Sequence, residues 1–188
     1  DGDGEDQPQE VIKMLRLSRK YKNYVITSNR KKREESFLIR SLYNLHLILT
    51  FLFTFKWMSF GNFTTFHSCN LDKILSSNSS WLAHSSSVMK TCNIKRLYAK
   101  RGKRYFGKSK LNLIDLVEHS LRVNAVFFFR VVLLSLLYLF MIMTLLTSVG
   151  LNFKILIFLF IVAFNLLIIF IKSKHYIKNL NNLNKLYK

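Results

Sequence analysis

Residues 131–151 read VVLLSLLYLFMIMTLLTSVGL, and residues 155–171 read ILIFLFIVAFNLLIIFI. The first stretch has no charged residue, and the second is broken only by Asn165. As helices rising 1.5 Å per residue they cover about 31 and 25 Å, close to the thickness of a bilayer's hydrocarbon core. Only Asn152, Phe153 and Lys154 separate them. So short a link makes the two helices antiparallel neighbours. A soluble protein would have to cover both helices with other polypeptide, and the rest of this chain is too short, polar and cationic for that. The expectation is an all-α membrane protein built on an antiparallel two-helix hairpin. Helix 1 covers residues 125–151, with Arg130 snorkelling, and helix 2 covers 155–172.

The flanks set an expected orientation. Arg122 and Arg130 precede the first run. Lys172, Lys174, Lys178, Lys185 and Lys188 follow the second, so residues 173–188 form a basic tail, while the turn holds Lys154 alone. Both flanks should face the cytoplasm-like side. Asn165, the one strongly polar residue inside a run, is expected to bond across the hairpin or to another subunit.

Upstream, residues 111–124 carry Leu113, Ile114, Val117 and Leu121 on one helical face, with Asp115, Glu118, His119 and Arg122 on the rest. This pattern predicts an amphipathic helix lying among lipid headgroups, or packed on another protein helix. Before it comes a basic strip: Lys95, Arg96, Lys100, Arg101, Lys103, Arg104, Lys108 and Lys110, with no acid among them. Next to a hairpin, such a strip reads as a topology determinant in contact with anionic headgroups. The interleaved Tyr98, Tyr105 and Phe106 keep nucleic acid as a lesser alternative.

The whole chain, 188 residues with a formal charge of +19, repeats this separation of apolar blocks from cations. Five of its ten acids fall in the first ten residues. Residues 1–36 read as a disordered leader, acidic and then basic, and Met14 is the expected start of the native chain. Residues 37–60 open with an apolar block whose uncharged core, 41–55, suits a signal or anchor segment better than a full span; a third span or a buried helix is the alternative. Residues 61–110 read as a loop, polar and then strongly basic. Two glycosylation sequons, at Asn62 and Asn78, hint at a luminal location for it. Cys69 and Cys92 are read as free thiols, or as a disulfide if this loop reaches an oxidising lumen.

Neither a metal nor a nucleophile motif is present, and the five histidines are scattered. The expectation is a non-enzymatic membrane protein without cofactors. It would act as an anchor or interaction component beside lipid, a membrane-protein partner or a second copy of itself. The alternative is a small accessory subunit of a larger membrane complex.

Two short stretches add a resemblance. The segment Phe37-Leu38-Ile39-Arg40 opens the first apolar block, and Arg96-Leu97-Tyr98-Ala99-Lys100 approximates an R-x-L-x-E/Q/D export motif. With the C-terminal hairpin, this layout resembles the subtelomeric exported membrane proteins of malaria parasites, the Plasmodium fam-l and fam-m families. Tyr98 stands where those families carry leucine, and Lys100 where they carry an acid or glutamine. The resemblance implies a recessed signal, cleavage near Leu97–Tyr98, and a multi-pass protein exported to the parasitophorous vacuole or the host erythrocyte membrane system.

Overall fold

The computed structural model describes residues 6–30, 37–77, 79–99, 102, 105, 112–145 and 150–186. Its architecture is mainly helical, with the apolar helices attached to a small three-stranded sheet.

The sheet corrects the all-α expectation, and its parts come from the stretches read as leader and loop. In the leader, Pro8 opens α1 (Pro8–Lys20) at the position where a missing N–H costs nothing. Glu10 lies in its first turn and Arg19 and Lys20 in its last, each at the helix end that favours its charge. Strand β1 (Tyr24–Arg30) follows. In the loop lie β2 (Phe60–Thr65), a short 3-10 turn (Ser68–Asn70), α3 (Leu71–Leu75), α4 (His84–Thr91) and β3 (Asn93–Ala99). The strand order is β2-β1-β3, so β1 is central. It pairs antiparallel with β2 (Ile26↔Thr65, Thr27↔Thr64, Asn29↔Phe60) and parallel with β3 from Tyr24↔Asn93 to Arg30↔Ala99.

Consecutive strand residues point to opposite faces, yet Val25 and Ile26 are both fully buried. Val25 packs with Ile74 and Val88 of α3 and α4, while α1 lies against β1 and β2. Covering on both sides removes the apolar–polar alternation that would advertise a strand.

The apolar block 37–60 becomes α2 (Phe37–Thr54), a crossing into β2, and part of the main core. Phe55 ends α2 in the left-handed region at φ 51°. The last carbonyls of α2 have no partners within the helix. Side chains from further along supply them: Tyr138 Oη donates to Leu52 O, and Arg130 Nη1 donates to Thr54 O at 3.0 Å. Arg130 therefore sits at the negative end of α2's dipole, where a cation is favoured.

Helix α5 (Leu113–Ala125) starts on a capping box, with Asn112 Oδ1 accepting from Asp115 N at 2.8 Å. After Val126 and Phe127 the chain turns by 89° into α6 (Phe128–Leu145). Lys90 Nζ donates to Val126 O at the bend (3.1 Å), and Arg122 Nε donates to Leu82 O (2.6 Å). These two cations lock the bend to the α/β unit. The hairpin thus begins at Phe128, and residues 125–127 belong to the corner.

Helix α7 (Leu151–Leu186) begins before the expected link and runs on through the tail, about 54 Å in all. No glycine or proline follows residue 171 to stop it. Asn165 Nδ2 donates to Ser135 Oγ at 2.9 Å, and Lys172 Nζ lies 4.3 Å from the Phe128 ring centre. Seven residues forward in α7 match seven back in α6, so the pair is antiparallel. Phe53, Phe60, Leu82, Val123, Phe127, Val131, Phe164 and Ile168 share one core, joining the hairpin base to the α/β unit.

Candidate membrane-facing surface

Large apolar side chains stand exposed along the hairpin. Leu133, Leu136, Phe140 and Met143 do so on α6, and Leu156, Leu159, Leu166 and Phe170 on α7. Within Leu151–Asn179 the most apolar 18-residue window has a mean hydropathy of 2.9, and only 22% of that window is buried. So much open apolar surface is foreign to an isolated soluble chain.

Exposed apolar side chains also stand on α2 and α5, which lie side by side. His46 Nδ1 is 2.6 Å from Ser120 Oγ, and Asn124 Nδ2 donates to Thr50 Oγ1 at 3.2 Å. At 100° per residue, Leu38, Leu45, Ile48 and Leu52 fall on one face of α2, and all four are exposed. On α5 the exposed side chains are Leu113, Ile114 and Val117. Arg122, which meets the Trp81–Leu82 segment, is on the far side of α5 from them. Of the apolar face read from the sequence, Leu113, Ile114 and Val117 are thus open, while Leu121 packs against the main core.

Phe37–Thr54 is long and apolar enough to cross a membrane, but its connections forbid a single crossing. β1 and β2 are hydrogen-bonded neighbours and must lie on one side of any bilayer. The connection between them must therefore cross an even number of times. Residues 31–36 carry five charges and cannot provide the second crossing.

The open end of the hairpin is closed by contacts between its two flanks. Glu118 precedes α6, and both Lys174 Nζ (3.1 Å) and His175 Nε2 (2.9 Å) of α7 meet its carboxylate. Trp81 packs on Tyr176, with ring centres 6.2 Å apart. These contacts hold the two ends of the hairpin together.

The hydrogen bond from His175, and then that from Lys174, hold the Glu118 carboxyl below the usual glutamate range. A lowered acid pKa adds stability that is present above the ordinary value and lost as pH falls through the folded one. Because Glu118 is partly exposed, the contribution is about 1 kcal/mol or less. Glu118→Gln should accordingly lower the melting temperature in detergent at neutral pH. The gap to the native chain should close in acid, and a gap independent of pH would refute this account of Glu118.

The sequence-derived site residues are scattered over the fold. Arg96, Leu97, Tyr98 and Ala99 lie in β3, with Ala99 buried and Arg96 Nη2 donating to Trp57 O at 2.7 Å. Lys100, Arg101, Lys103, Arg104, Lys108 and Lys110 lie outside the described residues. Asn165 is engaged inside the hairpin by Ser135 and by Ile161 O (2.8 Å). Cys69 and Cys92 are free thiols, and Cys69 Sγ donates to Lys22 O at 3.1 Å. Among the described residues no group of three His, Cys, Asp or Glu side chains could hold a metal.

Sequence reasoning missed the aromatic cluster where α2 ends. There Phe51 stacks edge-on with Phe55 (6.0 Å) and Trp57 (6.1 Å), and all three rings are partly exposed. Its signal was present in the run Phe51-Leu-Phe-Thr-Phe-Lys-Trp57. No family model, curated protein or solved structure matches this chain.

Proposed function

We propose that this chain is a multi-pass membrane protein without catalytic chemistry, acting as an anchor and interaction component. The α6–α7 hairpin inserts into the bilayer. Helices α2 and α5 float in the interface at its base, and the α/β unit is held against the headgroups on the side that carries the basic flanks. The observation that carries this reading is the exposure of large apolar side chains along α6 and α7 and on one face each of α2 and α5. The indole of Trp57 suits the headgroup level, where the amphipathic rings of Trp and Tyr collect.

With Asn165 satisfied by Ser135, the hairpin does not need a polar partner from another subunit. That favours the anchor over an accessory subunit of a larger complex.

The test uses the two tryptophans. In vesicles whose lipids are brominated high on the acyl chains, a Trp81→Phe variant, which reports Trp57 alone, should be strongly quenched. A Trp57→Phe variant reports Trp81, which lies on Tyr176 beyond Lys172, and should be quenched far less. The chain should also stay with membranes in alkaline carbonate. Equal quenching of both rings, or release by carbonate, defeats the proposal.

A further inference from the structure

We infer that Lys56, Lys95 and Arg96 form a binding site for the phosphate of an anionic phospholipid headgroup, at the rim of the membrane-facing surface. The inference rests on the membrane reading above and names the lipid class that surface selects.

Three observations converge. The first is shape and charge. A shallow basin of about 520 Å³ is lined by Lys56, Lys95 and Arg96 together with Cys92, Asn93 and Ile94. Among the described residues the carboxylates that form ion pairs are those of Glu10 and Glu118, and neither pairs with these cations. Three cationic residues line this concavity without a carboxylate partner among the described residues, the Lys95 ammonium resting on the Tyr21 ring at its edge, and such a lining favours an anion.

The second is depth. Lys56 lies between Phe55 and Trp57 in the chain, and Arg96 is tied to Trp57 O at 2.7 Å. The basin is thereby fixed beside the aromatic cluster. Phe55 holds its exposed ring from a left-handed backbone conformation (φ 51°) that residues with a side chain rarely adopt. Rings at the headgroup level put neighbouring cations at the depth of lipid phosphates.

The third is preorganisation. Lys95 Nζ sits 3.4 Å from the centre of the Tyr21 ring, and Lys20 Nζ is 5.6 Å from it. The hydrogen bond from Lys95 and the nearby charge of Lys20 hold the Tyr21 phenol below its ordinary value, a mark of the local positive field. Arg96 has spent one N–H on Trp57, and its other donors remain for phosphate. A nucleic acid would need a cationic strip free of the bilayer, whereas this basin is tied to the aromatic cluster that enters it.

The full chain in neutral detergent provides the test, in a Trp81→Phe background with Trp57 fluorescence as the readout. Titration with short-chain phosphatidylglycerol should saturate. Phosphatidylcholine of the same chain length should bind at least tenfold more weakly. Inorganic phosphate and a single-stranded oligonucleotide should neither bind tightly nor compete. Each neutralised cation should weaken phosphatidylglycerol about fivefold, in Lys56→Gln, Lys95→Gln and Arg96→Gln alike. Lys56 forms no ion pair among the described residues, so Lys56→Gln stays informative should loss of the Arg96 bond disturb the fold. Equal affinity for the two lipids, no effect of Lys56→Gln, or preference for phosphate or the oligonucleotide overturns the site. If the lipids bind alike while the chain still resists carbonate, the headgroup site fails and the membrane reading survives.

Discussion

Phe140→Arg is expected to reduce membrane insertion about a hundredfold while leaving the α/β unit folded. Phe140 is 68% exposed on α6, so its replacement disturbs little packing. On the surface of a soluble protein such a change stays within about 0.5 kcal/mol. Position 140 is midway between the corner at Phe128 and the start of α7 at Leu151. At the centre of a bilayer an arginine costs about 2.5–3.5 kcal/mol on insertion scales, and more if it cannot snorkel. The carbonate-resistant fraction after translation with microsomes measures the effect. Insertion equal to that of the native chain would mean that lipid does not surround this face.

The second large effect concerns β1. A chain beginning at Lys56, the product expected if the first apolar block were a cleaved signal, should lose its α/β unit. The central strand would be gone, leaving β2 and β3 without their only shared neighbour. Val25, Ile26 and Met14, all fully buried, would go with it. Each such side chain contributes about 1.5–3 kcal/mol. Their sum, with the ladder hydrogen bonds, rivals the whole stability of an ordinary domain, about 5–15 kcal/mol. Limited proteolysis should find residues 60–99 protected in the full chain and digested in the truncated one. Cleavage at Leu97–Tyr98, which the resemblance to exported parasite proteins implies, would cut β3 between its pairs with Ser28 and Asn29. The sheet and that processing are alternatives. Mature protein beginning at Tyr98 would remove the sheet from the functional molecule.

The parts legible from sequence were those set by one-dimensional composition. The hairpin runs needed only length and the absence of charge. The face of α5 needed only the spacing of Leu113, Ile114 and Val117. The sheet was hidden because Tyr24-Val-Ile-Thr27 sits among cations and is covered on both faces, leaving no alternation to read. The serines of α4 look like loop residues, yet Ser85, Ser86 and Ser87 are buried, and Ser87 Oγ donates to Ser77 Oγ across the unit. Polar burial of this kind leaves no hydropathy signal. Helix α2 has the composition of a signal core or a short span, and composition cannot say which way a helix lies. Its contacts with Ser120 and Asn124 place it beside α5, which composition could not foretell. The basin escaped notice because Lys56 is 39 residues from Lys95 and joins it only through the fold.

Which side of the membrane each segment occupies is the most direct check. Three single-cysteine chains suffice: native Cys69 with Cys92→Ser, Ser173→Cys, and Asn152→Cys, the last two lacking both native thiols. In sealed vesicles of one orientation, an impermeant maleimide should label Cys69 and Ser173→Cys from the same side, and Asn152→Cys only from the other. Labelling of Asn152→Cys together with Cys69, or of Ser173→Cys opposite to Cys69, would contradict a hairpin that crosses twice beneath a unit held on one side.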